Sequence, residues 1–140
     1  MSWKLDSDRP IYTQLLEILQ INIVSGHYPP GSKLKSVREL AMDAGVNPNT
    51  MQRAFAELEQ QGLIRTERTA GRFVTEDTEM VGKTRETIAG AQLDLFLEKM
   101  EQLGFGRQEI VEFVSTRALA QAGRRNSASA GSDTNGGAQA

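Results

Sequence analysis

There is no cysteine in these 140 residues, which excludes disulfides and thiolate metal sites. Histidine occurs once, as His27 in a proline-rich turn, and the Asp6 and Asp8 pair lies at a terminus, so acid–base or nucleophilic catalysis has no convergent set of groups. No glycine-rich phosphate loop and no metal-ligand spacing occurs either, and no enzyme, cofactor or metal is expected. No run approaches the ~18 apolar residues of a membrane span, and MSWKLDSDRP lacks the apolar stretch of a signal peptide. The chain therefore reads as cytoplasmic, with no membrane partner. Strong charge of one sign is missing too: 16 basic against 18 acidic residues give a formal −2, unlike a histone-type polyanion binder.

What is present is a set of short, well-punctuated elements. From Pro10 to about Ser25, Ile11, Leu15, Ile18 and Leu19 recur at helical spacing, and Gly26 stops the run. HYPPGSK cannot continue a helix and marks a turn. Ser36-Val37-Arg38-Glu39 has the form of a capping box opening a short second helix, whose stripe is Val37, Leu40, Ala41 and Ala44 and whose left-handed stop is Gly45. Asn47 as N-cap and Pro48 at the first helical position start a third helix almost at once.

In that third helix Met51, Ala54, Phe55 and Leu58 fall on one face at ~100° per residue. Asn49, Gln52, Arg53 and Ala56 lie opposite, with Thr50 on the flank. From Leu63 to Thr75 the period changes to two, predicting two strands about a turn of Thr69, Ala70 and Gly71, with Arg65, Arg68 and Arg72 around it. A polar stretch, Glu76 to about Arg85, reads as a linker or helix start. Two further helical stripes follow: Leu93, Phe96, Leu97, Met100 and Leu103, then, past Gly104-Phe105-Gly106, Ile110, Phe113, Val114 and Ala118. From Gly123 the sequence is Gly, Ser, Ala and Asn without apolar period, and disorder is expected.

Three helices, two of them joined by a tight turn, followed by a two-stranded hairpin, describe a winged helix-turn-helix. Such a unit lays the start of its last helix in the DNA major groove, where Asn and Gln pair with adenine and Arg with guanine. Asn49, Gln52 and Arg53 have those chemistries, and small Ala56 would let the helix sit deep. A polar outer helix face is ordinary in globular proteins, so the hairpin arginines add weight, since they suit phosphate or minor-groove contact. Between Lys33 and Arg72 there are seven basic residues (Lys33, Lys35, Arg38, Arg53, Arg65, Arg68, Arg72) and five acidic ones (Glu39, Asp43, Glu57, Glu59, Glu67). Arg38 could serve a phosphate or merely pair with Asp43. A winged-helix module that binds protein through its third helix is the alternative.

The segments SVREL, GVNPNTMQRAFAELEQQGLI and GRFV, within a stretch from Pro10 to Val74, resemble the N-terminal domain of GntR-type transcriptional regulators. The short helical appendage resembles the YtrA subfamily. The resemblance implies a bacterial repressor that binds a palindromic operator in double-stranded DNA as a homodimer, often controlling a transporter operon. It assigns DNA contacts to Arg38, to Asn47, Asn49, Thr50 and Arg53, and to Arg68, Thr69 and Gly71. The chain departs from the family pattern at Lys35, where proline is usual before Ser-Val-Arg; with Ser36, Gln52 and Arg72, Lys35 completes the expected DNA-binding set.

The expected architecture is α+β. It comprises a winged helix-turn-helix over residues 1–78, a small α-helical hairpin for dimerisation over 79–122, and a disordered tail over 123–140. Two helices cannot enclose both apolar stripes unaided, so Leu93, Phe96, Leu97, Met100, Ile110, Phe113 and Val114 are expected to pack against a second copy, the alternative being that they fold back on their own winged domain. A small-molecule effector fits the resemblance but has no assigned residues. The hairpin is too small for a ligand cavity of its own, which places any such site between subunits or domains.

Overall fold

In the computed structural model the backbone is described for residues 3–139 and side chains for residues 3–125; the stretch from Gly123, expected to be disordered, lies in the last helix as far as Gln139. The elements in chain order are α1 (Ile11–Val24), α2 (Val37–Ala44), α3 (Pro48–Gln60), β1 (Ile64–Glu67), β2 (Gly71–Val74), α4 (Thr78–Gln102) and α5 (Arg107–Gln139). Among the described residues no helix is long and apolar enough to cross a membrane. The chain divides into two compact units, one ending at Ala89 and one beginning at Gly90.

The caps form as their chemistry requires, with one variation. Asn47 holds the start of α3 by accepting the Asn49 N–H at 2.8 Å, with Pro48 behind it. Ser36 accepts the Glu39 N–H at 3.1 Å, but Glu39 does not reach back to a backbone amide; its carboxylate takes the Ser36 hydroxyl at 3.0 Å. Gly45 ends α2 with φ 68, and its amide bonds back to Met42 O. A Cβ there would meet nothing within 4 Å. Gly45→Ala is therefore expected to cost only the left-handed backbone penalty, about 1 kcal/mol, read as a lowered urea midpoint with unchanged slope. No loss would mean that the turn tolerates another backbone conformation.

The first unit's core is made by α1, α2, α3 and the hairpin together. Leu15, Leu19 and Ile23 of α1 meet Met51, Ala54, Phe55 and Leu58 of α3, with Leu40, Ala41, Leu63, Ile64 and Val74 closing the sides. Ile18, expected in the α1 stripe, is only half-buried, because the buried line is Leu15, Leu19 and Ile23 at a strict spacing of four. Met80 and Val81 of α4 also pack on this core, which explains why the first unit extends beyond residue 78.

β1 and β2 pair antiparallel with Arg65 opposite Phe73 and Thr66 opposite Arg72. The segment read as a simple turn adds a third edge. Lys33 bridges Phe73, the Leu34 N–H reaches Arg72 O at 2.9 Å, and the Val74 N–H reaches Ser32 O at 2.9 Å. Pairing this short gives no alternating pattern to detect.

In the second unit, the amide of Phe105 bonds to Met100 O, Gly104 takes φ 97, and Glu109 accepts the Gly106 N–H at 3.2 Å, turning the chain from α4 into α5. Phe105 and Phe113 meet edge-on at 5.4 Å, and Arg107 pairs with Glu101 at 2.6 Å. Leu93, Phe96, Phe113 and Val114 are exposed, Leu97 and Met100 half-buried. Ile110 departs from the expected interface set: it is 2% exposed within a single chain, so it has no surface to offer a second copy. Leu95, Val111 and Leu119, which were not singled out, are exposed as well.

Candidate nucleic-acid interface

The first turn of α3 presents polar groups because the helix phase leaves them no alternative. With Met51, Ala54, Phe55 and Leu58 buried, Asn49, Gln52, Arg53 and Ala56 are exposed and Thr50 is half-buried. Their states differ. The Asn47 side-chain oxygen is occupied by its cap, leaving its amide NH₂ to face outward. The Arg53 guanidinium lies 4.3 Å from the centre of the Tyr12 ring on α1, a cation–π contact that holds it in one orientation. Nothing in a periodicity analysis connects residue 12 to residue 53; their meeting follows from α1 packing across α3.

At the start of α2, Lys35 pairs with Asp43 at 3.2 Å. Asp43 thus has Lys35 as its partner and not Arg38, and Arg38 is exposed with no ion pair, hydrogen bond or ring contact among the described residues. The Lys35–Asp43 pair is itself largely exposed, so it is a weak tether that a phosphate can displace.

The hairpin arginines separate into two kinds. Arg65 lies over the Phe73 ring at 4.9 Å and pairs with Glu67. Arg72 is half-buried and lies 5.5 Å from the Phe55 ring. The strand register sets Arg65 directly across from Phe73, so of the hairpin arginines expected to suit phosphate or the minor groove, Arg65 and Arg72 rest on aromatic rings instead. Arg68, at the tip, is exposed and has no such partner among the described residues. Beside it, Thr69 is exposed and Gly71 has φ 107, with the place of a Cβ only 3.1 Å from Lys33 Cε.

A groove of about 550 Å³ joins these elements. Ser36, Lys35 and Lys33 line one side; Thr69, Gly71 and Arg72 line the other. Three cationic side chains, Lys33, Lys35 and Arg72, line it against one carboxylate, Glu39. Among the described residues no group of three or more His, Asp or Glu could hold a metal ion.

This chemistry agrees with the chain's relatives. Residues 11–74 match the family described as bacterial regulatory proteins, gntR family. The chain is 35% identical over 116 residues to the uncharacterized HTH-type transcriptional regulator YhcF of Bacillus subtilis, covering 83% of this chain and 96% of that protein. It is 35% identical to the HTH-type transcriptional repressor YtrA of the same organism, covering 69% and 70%. A solved GntR family transcriptional regulator from Listeria monocytogenes superposes with a TM-score of 0.75 at 39% identity, covering 80% of this chain and 98% of that one. A family of transcription regulators, not of enzymes, is thereby indicated, and the winged helix-turn-helix with its exposed recognition turn belongs to a DNA-binding, YtrA-like transcriptional regulator of the GntR family.

Proposed function

We propose that the chain is a cytoplasmic repressor that binds a palindromic operator as a homodimer. The observation that carries this reading is an α3 first turn whose exposed groups are base-reading types, together with a groove between α2 and the wing lined by Lys33, Lys35 and Arg72, and with Arg38 and Arg68 exposed and without an ion pair among the described residues. In this arrangement Asn49, Gln52 and Arg53 read bases, with Asn47 and Thr50 at the edge of the same turn. Arg38, Ser36 and Lys35 take phosphates, and Arg68, Thr69 and Gly71 enter the minor groove. Arg72 supports the wing from its place over Phe55.

Homodimer formation is supported by the apolar surface of the second unit: Leu93 is 54% exposed and Phe113 41%. A face of that kind, left in water, is stabilised by a second copy. Repression is supported by the relative YtrA of Bacillus subtilis, a transcriptional repressor. Control of a transporter operon rests on the family resemblance alone.

Footprinting on its own promoter and titration against salt test the reading together. A dimer making several phosphate contacts should protect two half-sites about one helical turn apart and lose affinity linearly in log–log form. Arg53→Ala is expected to cost ~1–3 kcal/mol on that operator while leaving mixed-sequence binding nearly unchanged. Salt-independent or absent DNA binding would favour a protein-interaction module, and an unchanged operator affinity for Arg53→Ala would sink the assigned register of α3.

A further inference from the structure

A second cavity, of about 520 Å³, opens beside α2 within the first unit, lined by Trp3, His27, Tyr28, Lys33, Lys35 and Asp43 among others. Its size falls in the range of small-molecule sites. Three rings on the walls offer stacking surface. Trp3 is packed against the core, and the segment that carries it is tied down by Gln14, only 4% exposed. The Gln14 carboxamide accepts the Asp6 N–H at 2.7 Å and donates to Asp6 O at 2.7 Å and Arg9 O at 2.9 Å. Burial, and secondarily the charge of Asp43, raise the pKa of the Tyr28 hydroxyl, so that wall stays neutral at ordinary pH.

The charge balance selects the ligand. Asp43 is the one carboxylate among those six residues and is already paired with Lys35, whereas Lys33 has no ion-pair partner among the described residues. Two ammonium groups against one carboxylate leave a positive surplus next to aromatic walls. Lys33 and Lys35 also line the groove between α2 and the wing, so the two cavities share one wall.

We infer that this cavity binds a small planar aromatic carboxylate, its ring among Trp3, His27 and Tyr28 and its anion on Lys33 and Lys35, and that the bound anion competes with DNA phosphates for those two lysines. The ligand is then an inducer acting inside the winged domain, where the hairpin has no room for one. Binding to the free protein does not depend on the proposed DNA contacts; the competition does. Reciprocity requires that the ligand weaken DNA binding by the same factor by which DNA weakens the ligand.

The test uses the full chain and benzoate, with acetate supplying an anion without a ring and benzylamine a ring with the opposite charge. Calorimetry, and emission from the sole tryptophan, Trp3, follow binding in the absence of DNA. Benzoate should give a saturable signal at one per chain that acetate and benzylamine do not. Lys33→Gln with Lys35→Gln should weaken it at least about tenfold, while the double Lys→Arg variant should retain it. No saturable heat up to about 10 mM, equal binding of acetate, or benzoate binding indifferent to the glutamines would each overturn the site. Saturating benzoate should then lower affinity for mixed duplex DNA by roughly 5-fold or more; an unchanged affinity in a protein that binds both would overturn the competition. A chain that binds benzoate but no DNA would overturn the competition and the proposed function while leaving the site standing.

Discussion

Ending the chain after Ala89 is expected to leave a folded, monomeric winged domain whose affinity for a palindromic operator falls by ~10²–10⁴, while its affinity for a single half-site is nearly unchanged. The cut is placed there because the first compact unit runs to Ala89 and its core uses Met80 and Val81. A cut at Glu79 would remove both and confound loss of dimer with loss of fold. What is removed is the surface proposed to join two copies: α4 has no fully buried residue, and Leu93, Phe96, Phe113 and Val114 stand open to solvent. Linking two half-site readers turns the second binding event into an intramolecular one, and the expected factor is the usual gain from effective concentration. Sedimentation, circular dichroism and operator titration check the three parts separately. A truncated chain that still sediments as a dimer would refute the assignment of the interface to the second unit.

Phe55→Ala is expected to cost ~3–5 kcal/mol of stability in the first unit. Phe55 is 1% exposed and among the largest fully buried side chains, at the junction of α3 with the core. Its ring also carries the Arg72 guanidinium at 5.5 Å, so the substitution removes the support of the wing as well as leaving a cavity. A domain of this size has only ~5–15 kcal/mol in total, so DNA binding should fail through unfolding on modest warming. Met42→Ala is the control: Met42 is 74% exposed, and its loss should stay within about 0.5 kcal/mol. Urea denaturation of the two variants measures both; a loss below about 1 kcal/mol for Phe55→Ala would mean that the core recloses around the gap.

The punctuation of the fold was readable because each signal is local. Ser36, Gly45, Asn47 and Pro48 act on backbone groups within four residues of themselves, so their chemistry names the helix ends wherever the chain goes. The polar turn of α3 was readable for a related reason: once Met51, Ala54, Phe55 and Leu58 must face inward, helix geometry sends Asn49, Gln52 and Arg53 outward.

The state of each charged group was not local. Whether Arg53 waves in solvent or lies over Tyr12, whether Asp43 pairs with Lys35 or Arg38, and whether Arg72 reaches outward or rests on Phe55 all depend on residues far apart in sequence. Ile110 shows the same limit for apolar residues: helical spacing puts it in a stripe, but spacing cannot say which members of a stripe are covered within one chain. The sequence alone therefore determined the order of elements and the outward face of α3, since periodicity and caps are properties of short stretches, while the segments SVREL, GVNPNTMQRAFAELEQQGLI and GRFV carried the resemblance to the family. Only the tertiary structure decided which cations are committed, which are free for phosphate, and that Lys33 and Lys35 stand between two cavities, because those are matters of distance between packed elements.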